Sequence, residues 1–333
     1  MVGTRSGWAQ WNKIKGNPRA EVYGMVQKPA VSVLFFLGCA GASAQVSVPP
    51  AAHLQKLIDE GAPFVRVTES LEVAQSIRAR SNLTIYCTPG VELRMKSGTF
   101  NGTNAKDAAN SLLQIVDAEN VEVQNCTLVM LKAEFVQPSE FRHAVRVTGS
   151  KNVRLVNVTA KDAGGDGFYL GVDDNVQPGQ PRRGVENVTL DRCKATNSSR
   201  QGLTILSCKG CYVYDSEFSG SVGASPQSGV DIEAGGFADV LQDIFVVRCK
   251  SFANKGHAFA ANLERQNETS PPVSITFADC EGASLPCWAN SDAGPKDLYH
   301  VRNFSSGSVG GLTTKNLGTV KVQYGGRVVA QWP

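Results

Sequence analysis

Gly202-Leu203-Thr204-Ile205, Cys211-Tyr212-Val213-Tyr214-Asp215-Ser216, Gly229-Val230-Asp231-Ile232 and Ile244-Phe245-Val246-Val247-Arg248-Cys249 follow one another along the chain and decide its fold. Two kinds of short segment alternate here. One opens on a small residue and continues with apolar side chains at every second position. The other is a longer apolar alternation that closes on Cys or Ser. A period of two marks a strand with one buried face. Outward from this stretch the first kind recurs as Ala144-Val145-Arg146-Val147, Gly167-Phe168-Tyr169-Leu170 and Ala258-Phe259-Ala260-Ala261. The second recurs at Val121 to Cys126, Val153 to Val158, Val188 to Cys193 and Ile275 to Cys280. Equivalent positions of the first kind lie 23 to 35 residues apart. A period of that size denotes a solenoid, in which each cycle is one structural unit and function lies on one face of the stack.

The chain has 333 residues, enough for a large core, and the repeat argues for one elongated domain. Its 33 glycines and few aromatics suit short strands and tight turns. Residues 1–44 stand apart. Met25-Val26-Gln27-Lys28 leads into an apolar run from Ala30 to Leu37, and Ala42-Ser43-Ala44 follows. A positive start, a short apolar run and an A-x-A-like site read as a secretory signal, too short to span a bilayer. The expectation is a native start at Met25 after an extension over 1–24, a signal over 25–44, and a secreted or periplasmic product with no integral membrane segment. Phe36-Leu37-Gly38-Cys39 weakly resembles a lipoprotein box. Five of the 33 basic residues but one of the 30 acidic ones fall in residues 1–44, so the remainder is close to neutral and supports no nucleic-acid binding.

Residues 45–81 read as a linker and an N-terminal cap, with helical apolar spacing over 51–60 and again over 70–80. Such a cap covers the open end of a solenoid. The repeat is expected over 82–323, with a tail at 324–333. The second kind of segment opens on Asn120, Asn152, Asn187, Gly210, Asp243 or Ser274, turn residues suited to left-handed backbone. Eight Asn-x-Ser/Thr sequons occur, including Asn125, Asn157 and Asn187, several of them on this strand-and-turn pattern. Cys126, Cys193, Cys249 and Cys280 share one repeat position with Val158 and Ser216, which favours an interior stack of small side chains over disulfides. Cys208 and Cys211 form a Cys-x-x-Cys without a second pair at zinc-site spacing.

The pattern resembles the right-handed parallel β-helix of the pectate-lyase-like superfamily, over roughly Asn82 to Gln323. Gly165-Asp166-Gly167-Phe168 is similar to the Asn-Thr-Asp-Gly strand start of polygalacturonase-type members, and Lys255-Gly256-His257-Ala258 to their Gly-His-Gly. The resemblance implies an all-β, single-stranded right-handed parallel β-helix whose glycine-led strands line a carbohydrate groove. Two departures stand against a shared activity: Arg200-Gln201-Gly202 occupies the place of an Asp-Asp pair, and Arg-Ile-Lys is missing.

Equivalent residues of successive coils lie about 4.8 Å apart, so outward residues form ladders. One ladder reads Arg146, Tyr169, Thr204, Asp231, Ala260; the next reads Thr148, Gly171, Leu206, Glu233, Asn262. Just before these strands stand His143, Asp166, Gln201, Ser228 and His257. Mixed, charged and aromatic ladders suggest ligand contact. Asp231 and Glu233 sit two apart on one strand, about 6.6 Å between Cα atoms, near the carboxyl separation of inverting glycosidases, roughly 6.5–9.5 Å. Asp166 lies two coils away, about 9–10 Å. The preferred reading is a monomeric polysaccharide hydrolase with Asp231, Glu233 and Asp166 as acid–base groups and no cofactor. Arg146, Tyr169, Arg200, His257, Asn262 and Lys255 are expected to bind substrate. One alternative is a uronate lyase using Arg146, Tyr169 and His257, for which Asp173-Asp174-Asn175 offers oxygen ligands to Ca²⁺. Another is a non-catalytic glycan-binding or surface protein. Insertions over Asp173 to Arg183, Gly220 to Ser228 and Gln266 to Pro272 fit a groove, and Trp288 fits a C-terminal cap.

Overall fold

The structure, a computed structural model, describes residues 53–99, 111–135, 140–172, 183–266 and 269–282, and the backbone alone of 283–284, 299–302, 318–324 and 327–332. The expected extension and signal over 1–44, Cys39, the linker, Asp173-Asp174-Asn175, most of the first insertion and Trp288 lie outside the described residues.

Every described coil visits three parallel sheets in turn. The first sheet runs from Phe64–Val67 through Leu83–Cys87, Glu119–Gln124, Lys151–Val156, Val185–Asp191, Cys208–Tyr214, Leu241–Val247 and Val273–Ala278 to Gly318–Tyr324. The second holds short strands such as Thr159–Lys161, Lys194–Thr196 and Glu217–Ser219. The third holds Ile77–Ala79, Leu113–Val116, Val145–Thr148, Phe168–Gly171, Leu203–Ile205, Val230–Glu233, Phe259–Asn262 and Tyr299–Arg302. All these pairings are parallel; Arg327–Trp332 alone returns antiparallel, folding the expected tail back on the last first-sheet strand. The all-β parallel solenoid read from the sequence is the observed fold.

The N-terminal end differs in part. A helix forms at Leu54–Asp59, and its buried Leu54 and Ile58 cover the first coil. Residues 70–80 are not helical: Leu71–Val73 and Ile77–Ala79 are strands of the second and third sheets. Leu71, Val73 and Ile77 are buried while Glu72 and Arg78 face out, so the operative period there is two. A corner between two short strands supplied the accidental helical spacing. The first coil accordingly begins at Phe64–Val67, ahead of the strand at Leu83.

Two devices hold the coils in register. Asn82, Asn120, Asn152, Asn187, Gly210 and Asp243 all adopt positive φ where the chain enters the first sheet; Ser274 is not among them. The Asn120 amide donates to Asn82 Oδ1 (2.9 Å), Asn152 to Asn120 (3.0 Å) and Asn187 to Asn152 (2.8 Å). The second device is the glycine that opens three of the third-sheet strands, Gly167, Gly202 and Gly229. A Cβ on Gly202 would stand 2.7 Å from both the Gly229 carbonyl oxygen and Phe218 Cβ. The chain there passes too close to the next coil for any side chain.

The core is continuous along the stack, with Val145, Phe168, Leu203, Val230 and Phe259 fully buried at one third-sheet position. Burying each such side chain contributes about 1.5–3 kcal/mol. The cysteine stack is partly corrected. Cys193, Cys208, Cys211, Cys249 and Cys280 are buried thiols, but Cys126 forms a disulfide with Cys87 of the preceding coil. Cys87 is one residue out of register with Cys126, yet the two Cα atoms lie within disulfide reach, 4.9 Å apart.

Candidate active site

The outer face of the third sheet carries the ladder read from the sequence, in register. Arg146 pairs with Tyr169, Tyr169 with Thr204, Thr204 with Asp231, and Asp231 with Ala260; Gln114 precedes Arg146. Val230 and Ile232 flank Asp231 and point into the core, so Asp231 points away from it. Outward does not mean solvated. Arg146 is 4%, Tyr169 6% and Asp231 2% exposed. Sequence alternation fixes which face a side chain takes, but not what lies over it. Here His143, Asp166, Arg200 and Gln201, from the turns before the strands, lie among the ladder residues.

Arg200 is the hub. Its Nη2 meets Glu233 Oε1 at 2.5 Å; its Nη1 lies 3.4 Å from Asp166 Oδ2, 3.5 Å from Thr204 Oγ1, and donates to Gln201 Oε1. One guanidinium thus joins carboxylates from coils on either side of its own. Burial alone would lower the Arg200 pKa, but Asp166 and Glu233 outweigh it and hold the group above its ordinary value. The charge is permanent.

Asp166 is fully buried. Its Oδ1 accepts the Gln201 backbone N–H (3.1 Å) and its Oδ2 the Thr204 hydroxyl (3.0 Å). Burial pushes its pKa up; the Arg200 charge, with the Thr204 hydrogen bond, outweighs that and leaves it lowered. His143 Nδ1 accepts the Asp166 backbone N–H at 3.2 Å, and its ring stacks on Tyr169 with centroids 4.5 Å apart. Burial holds the imidazole below its ordinary pKa, hence neutral.

Asp231 is the opposite case. Burial, and then the neighbouring Glu233 charge, push its pKa well above the carboxylate range. Its Oδ2 accepts from Gln201 Nε2 at 2.5 Å, while its Oδ1 is buried without a hydrogen-bond partner. The Gln201 amide is oriented by Arg200, which donates to its oxygen, and Thr204 Oγ1 lies 2.7 Å from that oxygen. A protonated Asp231 therefore carries its hydrogen on Oδ1, because Oδ2 is occupied as an acceptor.

The other expected binding residues lie one coil further along. Asn262 is in register with Glu233, and its Oδ1 accepts the Glu264 N–H at 3.2 Å. Lys255 and His257 are half-buried on the turn before Phe259–Asn262, where the Lys255 backbone N–H donates to Ser221 O and His257 O accepts from Gly229 N. Gln201 and His143 were visible only as residues preceding strands; their parts in the network come from side-chain reach across coils, which alternation does not encode. Among the described residues, no group of three or more His, Cys, Asp or Glu is disposed to hold a metal ion, and no helix is long and apolar enough to cross a membrane.

A family model described as right handed beta helix region matches residues 143–283, which contain nearly all of this site. A curated relative, the SPbeta prophage-derived uncharacterized protein YorA of Bacillus subtilis (strain 168), is 24% identical over 176 residues, 50% of this chain. The chain spans 29% of that relative's length. Among solved structures, a 1,3-α-1,4-β-D-galactose-4-sulfate-3,6-anhydro-D-galactose-2-sulfate 4 galactohydrolase aligns over 70% of this chain and 56% of its own, at 12% identity and TM-score 0.45. An alginate lyase from Paenibacillus sp. str. FPU-7 aligns over 78% of this chain and 99% of its own, at 12% identity and TM-score 0.42. The family match and the three-sheet coil agree on the architecture, and by its fold this chain is a right-handed parallel β-helix protein.

Proposed function

We propose that the chain is an exported carbohydrate-active enzyme that hydrolyses a polysaccharide laid along the outer face of the third sheet. One observation carries this reading: a buried carboxyl, Asp231, holds its proton above the usual range and leaves Oδ1 unbonded, two residues from a second carboxylate. Asp231 is the general acid; its Oδ1 is buried in the unliganded protein, so the side chains over it shift when sugar binds and the proton passes to the leaving glycosidic oxygen. Glu233 is the general base for water, with Oε1 held by Arg200. The two Cα atoms lie about 6.6 Å apart on one strand face, and an inverting mechanism asks for carboxyls roughly 6.5–9.5 Å apart with a water between them. Asp166, with both oxygens already accepting hydrogen bonds, is a positioning residue that fixes Arg200 and Gln201.

A second reading, uronate elimination, has its own support: Arg146 and Tyr169 are adjacent in register, and Tyr169 stacks on a neutral His143. Arg146 would neutralise the uronate carboxylate and Tyr169 would take the α-proton. A panel of neutral and uronate polysaccharides separates the two. Hydrolysis releases reducing ends with no new ultraviolet absorbance; elimination gives unsaturated, absorbing products. Asp231→Asn and Glu233→Gln are each expected to lower turnover by at least about 100-fold. Undiminished depolymerisation by both variants would refute the hydrolytic assignment. Retention of glycans on a column without cleavage would favour a binding protein.

A further inference from the structure

Cys249 and Cys280 occupy one interior position in adjacent coils. The strands on either side fix the alignment: Val247 pairs with Ala278 in the first sheet, and Lys250 with Glu281 in the second. The Glu281 backbone N–H donates to the Cys249 carbonyl at 2.9 Å, so the two cysteines lie directly above one another. Their Cα separation is then the strand spacing, about 4.8 Å, inside the window of about 4.4–6.8 Å that a disulfide requires. Both side chains are buried, Cys249 completely and Cys280 to 1% exposure.

The same interior already holds one inter-coil disulfide, between residues one position out of register. Cys126 stands at the equivalent repeat position and is bonded to Cys87 of the preceding coil. Cys193 also stands there, but its neighbours at that position are Val158 and Ser216. Of the described thiols at this position, 249 and 280 are the pair in consecutive coils.

We propose that Cys249 and Cys280 form a second inter-coil disulfide when the chain folds in the presence of a thiol-oxidising disulfide. Before the coils close both thiols are open to the oxidant, and either thiolate can attack first; the balance is the same with Cys280 as the first nucleophile. Cys280 thiolate attacks a sulfur of the external disulfide, forming a mixed disulfide and releasing one thiol. Cys249, losing its proton, attacks Cys280 Sγ, forming the 249–280 bond and releasing the second thiol. Two electrons and two protons pass to the external disulfide. Because neither sulfur is accessible in the closed stack, the exchange precedes closure of these coils.

The test is to refold the full chain in a mixture of oxidised and reduced glutathione, alkylate under denaturing conditions, and map linked peptides by mass spectrometry. The expected result is a peptide pair joined through Cys249 and Cys280 beside the pair joined through Cys87 and Cys126. A rise in melting temperature over chain refolded with reductant is expected, larger than the rise shown by a Cys280→Ser variant. Recovery of Cys249 and Cys280 both alkylated, or of either joined to a third cysteine, would overturn the proposal.

Discussion

Replacing Asp231 with Asn makes the burial of this carboxyl measurable. The variant keeps the shape and an acceptor for Gln201 Nε2 but cannot ionise. In the native chain, burial and Glu233 raise the Asp231 pKa above its unfolded value. The native state then binds more protons than the unfolded one at any pH between the two values. The contribution of this group to stability is complete below the unfolded pKa and is lost as pH rises through the folded one. Across that window the loss is about 1.4 kcal/mol per pH unit, or about 2 °C in melting temperature per pH unit for a chain of 333 residues. Thermal unfolding followed by circular dichroism, from about pH 5 to pH 8, should show the native protein losing stability relative to Asp231→Asn as pH rises. Parallel pH profiles for the two proteins would show that Asp231 ionises normally, and the general-acid role would fall with it.

Other perturbations report on separate parts of the molecule. Arg200→Met strands the Asp166 carboxylate without its cation and should cost about 3–5 kcal/mol, read from the denaturant midpoint; a cost near that of an exposed pair would show that Arg200 is not the hub. Gly202→Ala should cost about 1–3 kcal/mol by crowding the Gly229 carbonyl and Phe218, and unchanged stability would show that the coils can separate there. Cys126→Ser opens a link of sequence separation 39 and should cost about 4 kcal/mol under non-reducing conditions, with the difference vanishing in reductant. If the chain hydrolyses glycans, the alkaline limb of its turnover profile should lie above the ordinary carboxylate range and be absent in Asp231→Asn.

The coil was legible because its determinants are local and repeated. Alternation in Gly229-Val230-Asp231-Ile232 fixes which residues face inward, and the turn residues at Asn120, Asn152 and Asn187 fix where each coil begins. The same logic misread 70–80, where a corner between two short strands imitates helical spacing. The ladder Arg146, Tyr169, Thr204, Asp231 was likewise legible, since parallel register follows from the repeat. Its burial was not, because the covering side chains reach across coils from turns whose lengths differ. Arg200 illustrates this: it leaves the turn before Leu203–Ile205 yet meets Glu233 one coil on and Asp166 one coil back. The Cys87–Cys126 link escaped for a related reason, since Cys87 ends its strand just outside the position shared by the other cysteines.

The asparagine ladder bears on how this protein should be produced. Asn157 and Asn187 each head a glycosylation sequon, and each donates one of its two amide hydrogens to the asparagine of the coil before, Asn125 at 2.9 Å and Asn152 at 2.8 Å. Oligosaccharyltransferase modifies that same nitrogen. A sugar attached during synthesis would leave a bulky tree where neighbouring turns must close up, so yeast or mammalian secretion would work against assembly of the stack, whereas a bacterial host would leave these amides untouched.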